Sequence, residues 1–184
     1  MAVYLALLRG INVGGNNIIR MTDLKACFEG EMGFADVSTF IQSGNVIFCA
    51  NRTSLPALTS SVEEALSARF GYNAVVVVLS HDMLRQVVKD APGGFGTRPA
   101  TYRYDVIFVK KPLRPAAALR HFEPRPGVDR VEAGTHAVYA SRLAARAAQS
   151  RISKIASTPA YASMTIRNWN TTTKLLAIMD RAVS

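Results

Sequence analysis

The chain has 184 residues, 49% of them apolar, with 22 Lys and Arg against 13 Asp and Glu for a net charge of +9. That length suits one medium domain or two small ones with a real core. No apolar run approaches the roughly 18 residues a membrane-spanning helix needs, and Met1–Arg9 lacks a basic leader and a small-residue cleavage site, so no membrane and a cytoplasmic location are expected.

Residues 3–8 read as an apolar strand, and the Gly- and Asn-rich residues 10–20 as a loop. A helix is expected over 22–32, with Leu24, Cys27, Phe28 and Met32 on one face. Residues 37–41 and 46–49 read as two short strands joined through Ser43-Gly44-Asn45. Ser54 caps a second helix, with Pro56 in its first turn, running to about Phe70. Glu63 and Glu64 fall on a helix face expected to be solvated, and the apolar run 74–79 reads as a strand covered on both sides. A connecting helix follows over 80–90, then a Pro- and Gly-rich linker.

The element order then recurs. Residues 102–109 form a strand and 114–122 a short helix; 130–132 and 136–140 pair around Ala133-Gly134-Thr135. Residues 142–156 read as a helix, 164–167 as a strand and 172–181 as a terminal helix. The expected fold is α+β: two tandem α/β plaits (ferredoxin-like, β-α-β-β-α-β) with a connecting helix and a C-terminal helix. The expected domains are 1–91, a linker at 92–100, and a second, basic domain at 101–184.

The charge is lopsided. Residues 1–97 hold 7 Lys and Arg against 8 Asp and Glu, a net of −1, whereas residues 98–184 hold 15 against 5, a net of +10. No acidic residue stands between Glu132 and Asp180. Such an asymmetry is the footprint of an anionic partner, nucleic acid among them, or else a solubilising face. Arg142 and Arg146, four apart on the expected helix, share a face that Arg151 and Lys154 extend.

Three stretches carry a family likeness: Leu7-Leu8-Arg9-Gly10-Ile11-Asn12-Val13-Gly14-Gly15-Asn16, Phe40-Ile41-Gln42-Ser43-Gly44-Asn45-Val46-Ile47-Phe48, and Arg167-Asn168-Trp169-Asn170-Thr171 followed by Lys174-Leu175. In these the chain resembles the bacterial family known as domain of unknown function 1697. The resemblance implies tandem plaits and brings no activity with it.

In a plait the end of the first strand lies beside the start of the third. Arg9, Asn12, Gly14 and Gly15 are therefore expected at one sheet edge with Gln42, Ser43, Gly44 and Asn45. Two readings stand there: a polar pocket for a small metabolite or anion, or a loop whose asparagines satisfy its own turns. Arg167, Asn168, Trp169 and Asn170 form a second polar-aromatic cluster. Thr171 or Asn170 would cap the last helix, and Trp169 would be core or a stacking face. A recognition platform of aromatics on strands one and three is not expected in the first half, where Tyr4 and Phe48 are the available rings.

No signature for a metal or cofactor is present, and none is expected: His81, His121 and His136 lack ligand spacing, and the glycines match no phosphate-loop motif. Asp105, inside a strand, would answer Arg103 or act as a base. Cys27 and Cys49 read as free core residues. Whether the chain is an enzyme stays open. The leading expectation is a non-catalytic binder of an anionic ligand through the basic half. The rivals are a small-metabolite enzyme or sensor at the Gly/Asn rim, and a homo-oligomeric or partner-binding module.

Overall fold

A computed structural model describes residues 1–183; the last residue of the expected second domain lies outside them. Eight strands form two separate four-stranded sheets, every neighbouring pair antiparallel. The chain divides into two compact units, Met1–Asp82 together with the chain from Ala177, and Met83–Leu176. This differs from the expected division at 92–100: the boundary falls within the connecting helix, and the end of the chain belongs with the first unit.

The first sheet contains β1 (Ala2–Leu8), β2 (Ala35–Phe40), β3 (Asn45–Ala50) and β4 (Val76–Ser80), in the spatial order β2-β3-β1-β4. β1 alternates its side chains between two faces that are both filled, so nearly all of its residues are buried. α1 (Met21–Ala26) widens into a single π-type turn at Cys27–Glu31, where the Met32 N–H donates to the Cys27 carbonyl at 3.3 Å. α2 (Leu55–Phe70) starts where the Ser54 hydroxyl accepts from the Ala57 N–H at 3.3 Å and stops at Gly71, whose φ of +67° suits glycine. Phe48 anchors the core, its ring 4.6 Å from Phe34, 5.3 Å from Phe28 and 5.8 Å from Tyr4. Such ring pairs contribute about 0.5–1.5 kcal/mol each beyond area burial.

Glu63 is not merely solvated: its Oε1 accepts the Val76 N–H at 2.8 Å, fastening α2 to the first residue of β4.

α3 (His81–Lys89) leads into the second unit. Its sheet contains β5 (Tyr102–Val109), β6 (Asp129–Ala133), β7 (Ala137–Leu143) and β8 (Met164–Asn168), ordered β6-β7-β5-β8. α4 (Pro115–Leu119) covers one face with Ala118, joined by Phe122 beyond its end, among Ile107, Val138 and Ala140. The helix expected over 142–156 does not form. β7 stays paired with β5 as far as Leu143, opposite Tyr102, and then three 3-10 turns follow at Ala144–Gln149, Ile152–Ser157 and Pro159–Ser163. α5 (Trp169–Val183) ends the described chain. No helix is long and apolar enough to cross a membrane among the described residues.

Candidate functional site

The Gly/Asn rim of the first unit assembles where the topology puts it, because Leu7 of β1 pairs with Asn45 of β3. The chemistry there is inward. Asn12 sits at φ +54° and spends its side chain on three bonds: its amide donates to the carbonyls of Ile19 (3.0 Å) and Gln42 (2.9 Å), and its Oδ1 accepts the Ile19 N–H (2.8 Å). Asn17 donates to the Gly10 carbonyl at 3.1 Å. Asn45 is wholly buried and donates to the Phe40 carbonyl and the Ser43 hydroxyl at 2.9 and 3.0 Å. Gly44, at φ +74°, accepts the Leu8 N–H, and a Cβ there would stand 2.7 Å from Ile11 and 2.8 Å from Leu8. Glycine is required at this corner on both counts. Gly14, Gly15 and Gln42 are exposed and Arg9 is half-buried. Tyr4 and Phe48 lie in the core, so the first sheet offers no ring platform.

The second cluster is also built mainly for structure. The helix cap is Asn168, not Thr171 or Asn170: its Oδ1 accepts the Thr171 N–H at 2.8 Å. Arg167 lies on β8, almost fully buried, donating to the Thr165 hydroxyl (2.8 Å) and the Ile166 carbonyl (2.9 Å). Burial holds its guanidinium down to about 10. Trp169 meets Phe95 edge-on at 5.2 Å, and Asn170 is exposed.

The basic residues part company. Arg142 is on strand β7 and Arg146 on the turn after it, so they share no helix face. Arg142, half-buried, reaches Asp105 at 3.7 Å; the expected partner of Asp105 was Arg103. Burial raises the Asp105 carboxyl and Arg142 partly offsets that. The pair lines a cavity of about 320 Å3 with Ile152, Ile155, Tyr161 and Ile166. Arg146 is exposed and donates twice to Gln149, at 2.7 and 3.2 Å; Arg151 and Lys154 are exposed. Asp129 organises the same turns, its Oδ2 accepting the N–H groups of Arg125 (3.0 Å) and Arg151 (2.8 Å). Burial works to raise this carboxyl, but those bonds outweigh it and hold it below its ordinary range.

Sequence reasoning missed a further cavity of about 260 Å3, lying against the sheet face opposite α4. Tyr102 and Tyr104 of β5 alternate onto that face beside Tyr139, Ser141 and Leu143 of β7, and the segment 92–98 crosses it. The segment read as a linker is thus a packed strap. Phe95 seats its ring 4.8 Å from Tyr104 and 5.5 Å from Tyr139, and Gly96 (φ +81°) leaves the space Trp169 fills. The available signal was the Tyr-x-Tyr spacing on one strand with Tyr139 on its neighbour.

Among the described residues no group of three or more His, Cys, Asp or Glu could hold a metal ion. His81 instead bonds Asp180, Nε2 to Oδ1 at 2.6 Å.

A conserved bacterial protein from Streptococcus pneumoniae has a similar solved structure, at 22% sequence identity with a TM-score of 0.81, over 97% of this chain and 98% of that one. That likeness bears on the fold. No curated protein matches the chain. The family described as a protein of unknown function, DUF1697, matches residues 1–139, three-quarters of the length and both sheets up to β7. This chain belongs to the DUF1697 family.

Proposed function

We propose that this protein is a non-catalytic binder of a polyanion, nucleic acid being the fitting class, through the exposed cations of its second unit. Within this reading each unit is a ferredoxin-like α/β plait, the two in tandem with a connecting and a terminal helix. The strand order, with the third and first strands of each half central and the second and fourth at the edges, supports that description.

The observation that carries the binding proposal is charge placement. Residues 133–179 contain no acid, and Arg146 and Lys154 stand exposed on consecutive 3-10 turns with Arg151 exposed between them. Unneutralised cations gathered on one short stretch favour a ligand of repeated negative charge, because each phosphate met releases counterions. The rim of the first unit supports a metabolite pocket less well, since Asn12 and Asn45 have their amides engaged by their own loops.

The test is fluorescence anisotropy with labelled single-stranded RNA, single-stranded DNA and duplex DNA across a salt series. Log affinity should fall with log salt by roughly 0.7–0.9 per phosphate neutralised. Reversing Arg146, Arg151 and Lys154 to Glu should abolish binding and flatten the slope. Arg142 is left in place because it answers Asp105. Unchanged binding by the reversed protein, or none by the parent at low salt, would refute the proposal.

A further inference from the structure

The cavity beneath the 92–98 strap has a chemistry of its own, separate from the exposed cations above. Its walls are aromatic on two sides: Tyr102 and Tyr104 from β5, Tyr139 from β7, and Phe95 from the strap. These rings are held. Tyr139 is anchored through its hydroxyl to the Val87 carbonyl, and Gly134 keeps clear of its ring, where a Cβ would come within 2.7 Å. Phe95 is locked edge-on against three rings at 4.8–5.5 Å. Rigid aromatic walls suit a planar ring, which gains stacking contact without ordering the protein to receive it.

The polar lining narrows the ligand further. Arg98, exposed at the mouth, places its guanidinium 4.9 Å from the centre of the Tyr102 ring, so one cation stands beside an aromatic face. Arg130 and Glu132, paired at 2.6 Å on β6, add donors and an acceptor, and Ser141 offers a hydroxyl that can do either. A purely aliphatic ligand would make no use of these groups, and a bare anion would leave the rings unused. At about 260 Å3 the cavity is near the small end of the roughly 300–1,000 Å3 typical of ligand pockets, so it suits one base, with a sugar and phosphate left at the mouth beside Arg98.

We propose that this cavity binds a mononucleotide, its base against the tyrosine rings, its edge read by Glu132, Arg130 and Ser141, and its phosphate met by Arg98. The shared chemistry of base, sugar and phosphate is available both as a free nucleotide and as one residue of a single strand. Nothing in this site overlaps Arg146, Arg151 or Lys154, so it stands or falls independently of the polyanion reading.

The experiment is calorimetric titration of the full chain with each of the four nucleoside 5′-monophosphates, with ribose 5-phosphate and with a short single-stranded oligoribonucleotide. At least one mononucleotide should saturate, binding at least tenfold more tightly than ribose 5-phosphate, since stacking on an aromatic side chain is lost without the base. Ser141→Phe, which fills the cavity while keeping the fold's own rings, should remove that binding. Arg98→Ala, at an exposed position that leaves folding untouched, should weaken it severalfold. Saturation by the oligoribonucleotide alone, with the same sensitivity to Ser141→Phe and Arg98→Ala, would uphold the site and assign the base to a nucleic-acid strand. Absence of saturation by every probe would overturn the proposal. So would ribose 5-phosphate binding as well as the nucleotides, or an Arg98→Ala protein that binds as the parent does.

Discussion

Replacing Asn12 separates a structural rim from a ligand-binding one. Its side chain makes three hydrogen bonds at 2.8–3.0 Å that tie the loop at Ile19 to the hairpin at Gln42. A neutral bond of this kind contributes about 0.5–1.5 kcal/mol net, and the Gln42 carbonyl can return to water, so loss of the three costs about 2 kcal/mol. Asn12 also sits at φ +54°, where alanine adds about 1 kcal/mol of backbone strain. Asn12→Ala should therefore lose about 3 kcal/mol and Asn12→Gly, free of the strain, about 2 kcal/mol. For a chain of this length each kcal/mol moves the midpoint by roughly 2–4 °C. Thermal and urea unfolding followed by circular dichroism reads both variants, and the order alanine below glycine below parent is the signature. An alanine variant within about 0.5 kcal/mol of the parent would refute the reasoning and return Asn12 to the list of residues kept for a ligand.

Two further outcomes follow from the packing. Gly96→Ala would place a Cβ 2.2 Å from the Trp169 Nε1 at a φ of +81°, so it should cost about 2–4 kcal/mol and change the emission of the single tryptophan; unchanged emission would contradict the strap's seating. Burial first, and then the Glu31 carboxylate, push the Cys27 thiol up to about 12, so native protein at pH 8 should react with iodoacetamide at least about tenfold more slowly than unfolded protein, by mass spectrometry. Because the folded thiol holds its proton more tightly than the unfolded one, its contribution to stability is intact below about pH 9 and is lost as the pH rises from there toward 12. A native labelling rate equal to the unfolded rate would contradict this.

What local chemistry dictates was legible in the sequence, and what tertiary pairing decides was not. The Ser54 cap, Pro56 and Gly71 bracket α2 without help from the rest of the chain. Tyr102–Val109 is apolar and β-rich enough to be read directly. The stretch after Tyr139 misled because its Ala and Arg are strong helix formers, while Arg142 and Leu143 are held extended by Arg103 and Tyr102 across the ladder. The glycines at 93, 94 and 96 signalled a break in regular structure, as they should, but carried no notice that Phe95 between them would be anchored by Tyr104, Tyr139 and Trp169. At the rim, adjacency followed from strand order. Whether its amides face a ligand or their own loop carbonyls depended on the positive-φ turn at Asn12, which sequence spacing does not encode.

The division of the chain between its units has a consequence for how the protein is made. The first unit owns the opening 82 residues and then the chain from Ala177 onward, with the whole second unit encoded between them. On the ribosome all four strands of the first sheet emerge before the second unit and can pair. The residues that complete that unit, among them Asp180 with its bond to His81, are synthesised only after the whole second unit. Nascent chains stalled before Ala177 would thus carry a formed sheet with an unfinished unit, a stage at which exposed apolar surface invites a chaperone.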